Sequence, residues 1–174
     1  MASSFSDLGI ELMATGENAG TWGDKTNSNL NLIQQAVAGY EAISIAGGAQ
    51  TTALAMTDAT ISQARNQVIK LTGTITGNQI VTIPNSIEKS YIIINGTSGS
   101  FTVEFKTVSG TGYTFAATEK ETRILISDGT NIVDSGFSSV GIDAVVDDTT
   151  PQLGGNLDAN GNNILIDSGN FIGD

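Results

Sequence analysis

The chain has 174 residues, 7 Lys+Arg against 18 Asp+Glu, no His, no Cys and a net charge of −11. That balance argues against nucleic acid and anionic membrane surfaces as partners, because both require clustered Lys and Arg. The missing Cys and His exclude disulfides, thiolate nucleophiles, the usual zinc and haem ligands and the commonest general base.

The length fits one domain with extensions, on a prior of about 100–200 residues per domain. Gly numbers 21 and Pro only 2, and Thr, Ser and Asn are abundant. Thr favours strands, and Gly and Asn supply tight turns. Charged residues make up 14%, below the roughly 25% of ordinary soluble domains. The composition therefore points to a mainly β protein that relies on neighbours more than on charge.

Residues 1–40 form the first region. Met1 to Met13 carry Asp7 and Glu11 and no base, so the positive n-region of a signal peptide is missing. Phe5, Leu8, Ile10, Leu12, Met13 and Trp22 follow no clear period. An irregular apolar segment of this kind needs cover, from its own domain or from another chain. A short helix follows, with Asp24 or Asn27 as its cap and Gly39 as a C′ stop. Leu30, Ile33 and Val37 lie 3 and 4 apart on one stripe, which Leu32 and Ala36 are expected to widen. Packing on its own domain and helix-to-helix contact around a symmetry axis are both open readings.

Residues 41–138 read as β. Strands are expected at Ala42–Ala46, Thr52–Met56, Gln67–Thr72, Gln79–Ile83, Ser90–Asn95, Phe101–Thr107, Thr122–Ser127 and Asn131–Asp134. Alternation is clearest at Phe101–Thr107, where Thr102, Glu104 and Lys106 should face water. Asn95 to Gly99 reads as a hairpin loop, Asp128-Gly129 as a second tight turn, and Pro84 as a strand end. Asp58 to Asn66 reads as a helical turn. The expected fold class is an antiparallel β-sandwich or jelly-roll-like module, preceded by an extended segment and one short helix, and followed by an acidic extension. No period of 20–50 residues stands out. The longest strongly apolar run, Tyr91–Ile94, is far too short for a ~20-residue membrane span.

Residues 139–174 form a third, acidic region. Asp147 to Pro151 looks like a linker, and apolar residues beyond it are sparse. One copy of such a segment cannot offset its ordering entropy by burial, so it orders through association or stays disordered.

Sites of chemistry are few. Asp158 to Gly169 begins like an EF-hand loop, but Asn163 stands at the turn glycine and Gly169 at the bidentate glutamate. Gly110-Thr111-Gly112 opens no helix and reads as a turn. Glu104, Glu119 and Glu121 are the carboxylates weighed for glycan hydrolysis, and no pattern marks a pair of them. The expectation is no enzyme, no cofactor and no metal.

Two stretches resemble tail-fibre and virion-appendage proteins of tailed phages, similar to the fibre N-terminal regions of marine cyanophages. One runs from Gly16 to Asn31 (GENAGTWGDKTNSNLN) and leads into the helix; the other is Thr150 to Gly161 (TPQLGGNLDANG). Val68 to Gly73 and Asp128 to Val133 resemble β modules of the same group. The resemblance implies an N-terminal anchor with the helix at 1–40, a β module at 41–138 and a linker with the start of a fibre shaft at 139–174. It also implies a homotrimer assembled in the host cytoplasm and located in the virion, with other tail, neck or baseplate proteins as partners. Phe5, Leu8 and Trp22 are the expected virion-docking residues, and Leu30, Ile33 and Val37 the expected trimer contacts. The alternatives are a capsid-decoration or neck fibre protein, and a small glycan-binding adhesion module.

Overall fold

The computed structural model describes residues 2–138. Two-residue strands β1 (Ser4–Phe5) and β2 (Glu11–Leu12) pair antiparallel, and helix α1 spans Trp22–Ala38. Nine strands follow: β3 (Tyr40–Ser44), β4 (Gln50–Ala53), β5 (Val68–Thr74), β6 (Gln79–Ile83), β7 (Glu88–Ser98), β8 (Val103–Thr107), β9 (Gly112–Phe115), β10 (Thr122–Asp128) and β11 (Ile132–Ser138). A 3-10 turn at Gln63–Arg65 lies between β4 and β5, within the expected helical turn.

The mainly β architecture is as expected, but the strand directions are not. One sheet has the order β11-β10-β7-β5-β3 and the other β4-β6-β8-β9. The pairs β3/β5, β5/β7, β4/β6 and β6/β8 are all parallel. The chain therefore alternates between sheets, and each pair of strands stacks on the pair before it. Among the described residues, antiparallel pairing is confined to β1/β2 and to the later additions β8/β9, β7/β10 and β10/β11. The antiparallel expectation is thus corrected for the centre of the molecule.

The hairpin expected at Asn95 to Gly99 is also corrected. Residues up to Ser98 continue β7, and the chain then crosses to the other sheet at β8. Strand β9 was not expected from the sequence. The Asp128-Gly129 turn joins β10 to β11 as expected, with Asp128 Oδ1 accepting from the Thr130 and Asn131 N–H groups at 2.8 and 2.6 Å. Residues 139–174, including the linker and the EF-hand-like loop, lie outside the described residues.

Both sheets send their inward positions into one core. Ile69 and Leu71 of β5, Tyr91 and Ile93 of β7, Val81 and Ile83 of β6 and Val103 and Phe105 of β8 are buried. In register, Ile69 stacks beside Ile93 and Val81 beside Phe105. Tyr91 meets Phe105 edge-on at 5.5 Å, and its hydroxyl donates to the Ala64 carbonyl at 2.8 Å. Alternation along β8 holds as read: Val103, Phe105 and Thr107 are buried, and Glu104 and Lys106 are not.

Helix α1 starts earlier than expected. Trp22 is its first residue, and the preceding Thr21 makes no side-chain cap bond. Gly39 follows the helix, but its φ of −69° is not left-handed. Glycine is needed there for space: a Cβ would run into the Gln35 carbonyl oxygen and Asn66 Oδ1.

Candidate interaction surface

The N-terminal segment is tied to the body by polar contacts. Asn29 of α1 clamps β2 twice, accepting from the Glu11 N–H at 3.0 Å and donating to the Glu11 carbonyl at 2.8 Å. Lys25 pairs with the Glu11 carboxylate at 3.0 Å. Arg65 is completely buried and donates to the carbonyls of Leu8 and Thr57 at 2.7 Å each, to the Thr60 carbonyl, and to Gln35 Oε1 at 3.2 Å. One guanidinium thus joins the N-terminal segment, the 57–66 loop and the helix. Its planar fork of donors suits this task better than any other side chain.

Lys89 also fastens the C-terminal end of the helix. Its Nζ donates to the carbonyls of Ala36, Arg65 and Asn66 at 3.4, 2.6 and 3.0 Å. A cation there complements the free carbonyls that end both helical segments. Burial first, and then the Arg65 charge, bring the Lys89 pKa down to about 8.

Of the expected docking residues, Phe5 is 41% and Trp22 is 65% exposed, whereas Leu8 packs against the core cluster. The expected trimer residues Leu30, Ile33 and Val37 are 56%, 44% and 71% exposed. At 3.6 residues per turn, Trp22, Leu30, Ile33 and Val37 fall within an arc of about 80° on the helix surface. Leu32, expected to widen that stripe, is instead the helix's buried residue and lies on a different side. No charged residue occurs between Thr26 and Tyr40. The helix therefore presents an uncharged apolar stripe to solvent, in a chain whose net charge is −11. Such contiguous stripes mark association surfaces more often than isolated exposed residues do.

A second apolar band lies on the outer face of the larger sheet. Tyr40, Val68, Ile92 and Ile124 stand side by side in register across β3, β5, β7 and β10. Ile126 faces Val133 on the next strand, and the two are 44% and 51% exposed. The sequence reading missed this band, because it appears only once the strand register is known.

The carboxylates weighed for hydrolysis do not form an open pair. Arg123 bonds to Glu119 at 2.8 Å, to Asp134 at 3.1 Å and also to Glu121. Its guanidinium lies 5.2 Å from the centre of the Tyr113 ring, and the Tyr113 hydroxyl donates to Glu119. Burial raises the Glu119 carboxyl, but bonds from Tyr113, the Ala116 N–H and Arg123 outweigh it and hold the pKa at about 2. Burial and the neighbouring Glu119 push Glu121 up. Glu104 lies apart on the outer side of β8, opposite Thr114 of β9. Gly110 and Thr111 form the turn before β9, which starts at Gly112. Among the described residues no cluster of three or more acidic side chains is placed to hold a metal ion, and no helix is long and apolar enough to cross a membrane.

No protein-family model, no curated protein and no solved structure matches this chain.

Proposed function

We propose that this chain is a non-enzymatic structural component of a phage virion: the anchoring, proximal part of a trimeric tail fibre that attaches to the tail and supports host attachment. One observation carries the reading, the exposed apolar stripe of Leu30, Ile33 and Val37 on a helix face without charge. Copies of a chain with net charge −11 repel one another. The stripe is a place where they meet without bringing like charges together. Closed three-fold association around it buries three apolar faces that one chain leaves in water. Phe5 and Trp22 are exposed in the segment that this reading assigns to docking on the tail.

The test is sedimentation equilibrium of the full chain at micromolar concentration. The expected mass is three times 17.9 kDa. Ile33→Asp, a substitution at a half-exposed position, should give a monomer with an unchanged circular dichroism spectrum. A monomeric parent chain, or a trimer unaffected by Ile33→Asp, defeats the reading.

A further inference from the structure

We propose that a groove beside the helix is a binding site for a neutral saccharide. The groove lies between the C-terminal half of α1, the start of β3 and the 57–66 loop, and has a volume of about 320 Å3. That is near the lower end of the ~300–1,000 Å3 usual for small-molecule sites, which is room for one or two sugar rings.

Four carboxamides line it: Asn31, Gln34, Gln35 and Asn66. Two of them are rigid parts of the wall. Gln35 donates to the Ser62 carbonyl at 3.1 Å and accepts from the Ser62 N–H at 3.3 Å. Asn66 donates to the Glu41 carboxylate at 2.8 Å and to the Gln63 carbonyl at 3.1 Å. The other two are open. Asn31 and Gln34 are exposed, three residues apart on one side of the helix, and their side chains make no hydrogen bond among the described residues. Each free carboxamide offers two donors and an acceptor.

The rim is apolar. Tyr40 is 58% and Ile61 is 72% exposed, and both line the groove. An aromatic ring that is apolar on its face and polar at its tip suits the C–H face and the hydroxyls of a pyranose. Among the described residues no charged one lines the groove, and the nearby Glu41 carboxylate is occupied by Asn66. An anion finds no cation lining the groove, and a cation finds no free carboxylate there. Ligands whose groups both donate and accept without charge are the ones these amides match. The groove and the apolar stripe occupy different sides of α1, so this proposal does not depend on the assembly reading.

The test is NMR titration of the isotope-labelled full chain with maltose, cellobiose, lactose, mannobiose and chitobiose, each to about 10 mM, tenfold above a millimolar Kd. At least one disaccharide should shift the side-chain amide signals of Asn31 and Gln34 with a millimolar Kd. Tyr40→Ala, and separately the double variant Asn31→Ala with Gln34→Ala on the exposed helix face, should each weaken that Kd at least tenfold. Trp22→Ala, outside the groove, and Ile33→Asp should leave it unchanged. No shift with any of the five sugars overturns the proposal. So does equal binding by the Tyr40→Ala variant. Shifts of the same amides that follow protein concentration without sugar would make a second copy the occupant and also overturn it.

Discussion

Arg65 is a buried cation with no carboxylate bonded to it among the described residues. Its charge is balanced by carbonyl dipoles from three separate segments together with the nearby charge of Asp58, which makes it a fastener. Arg65→Lys keeps the charge but puts all its donors at one point, so it cannot reach every carbonyl. Each buried acceptor left without a partner costs about 1–3 kcal/mol. We expect Arg65→Lys to lower stability by about 3 kcal/mol, read as a lower urea midpoint at an unchanged m-value. A shift under ~0.5 kcal/mol, the range of ordinary surface changes, would show that the fastening is unimportant. The second prediction at this scale concerns acid. Glu119 has a folded pKa of about 2, below the ordinary value near 4.5. The unfolded chain therefore binds the extra proton, and the stabilisation present above pH ~4.5 is lost as pH falls toward 2. Glu121 shifts the opposite way and offsets part of the slope. Urea midpoints between about pH 5 and pH 2 should fall steeply for the parent chain and less steeply for Glu119→Gln; parallel curves would contradict this.

At the scale of elements, the turns between the sheets are not equivalent. A Cβ on Gly77 would run into the backbone of Gly48 and Ala49 in the neighbouring turn, whereas Gly48 has open space around it. Gly77→Ala should therefore cost more than about 2 kcal/mol, in the range of overpacked interiors. Gly48→Ala should be nearly neutral. Thermal unfolding of the two variants checks the contrast, and equal melting temperatures would deny it. Strand positions were largely legible, because inward apolar residues alternate regardless of the partner: Gln79–Ile83 matches its expected limits, and β8 faces as read. Helix α1 was legible from its apolar spacing, although its cap was not. Thr21 precedes it without a side-chain cap bond, and Asn29, Leu32, Gln35 and Lys89 anchor the helix by tertiary contact.

At the scale of the molecule, alternation says which residues face inward but not whether the neighbouring strand runs up or down. The stack has a recurrence that the sequence conceals. Tyr40 pairs with Val68, and Val68 pairs with Ile92. The 57–66 loop with its 3-10 turn lengthens the first interval relative to the second, so no single period fits. Side-chain identity recurs only in places: Ile69 stands beside Ile93, but Leu71 stands beside Asn95 and Ile83 beside Thr107. The stripe of Leu30, Ile33 and Val37 was legible because helical spacing is local. The amide groove was not, because Asn31 and Gln34 meet Tyr40, Ile61 and Asn66 only after the chain folds back on itself. By itself the sequence determined a β-rich composition without His or Cys, the inward faces of the strands and the apolar stripe of the helix, since these follow from residue chemistry and short-range periodicity; that the stripe faces solvent was decided by the structure. Strand direction, the shared core, the Arg65 and Lys89 fastenings and the groove were decided only by tertiary structure, since each depends on bringing together residues far apart along the chain.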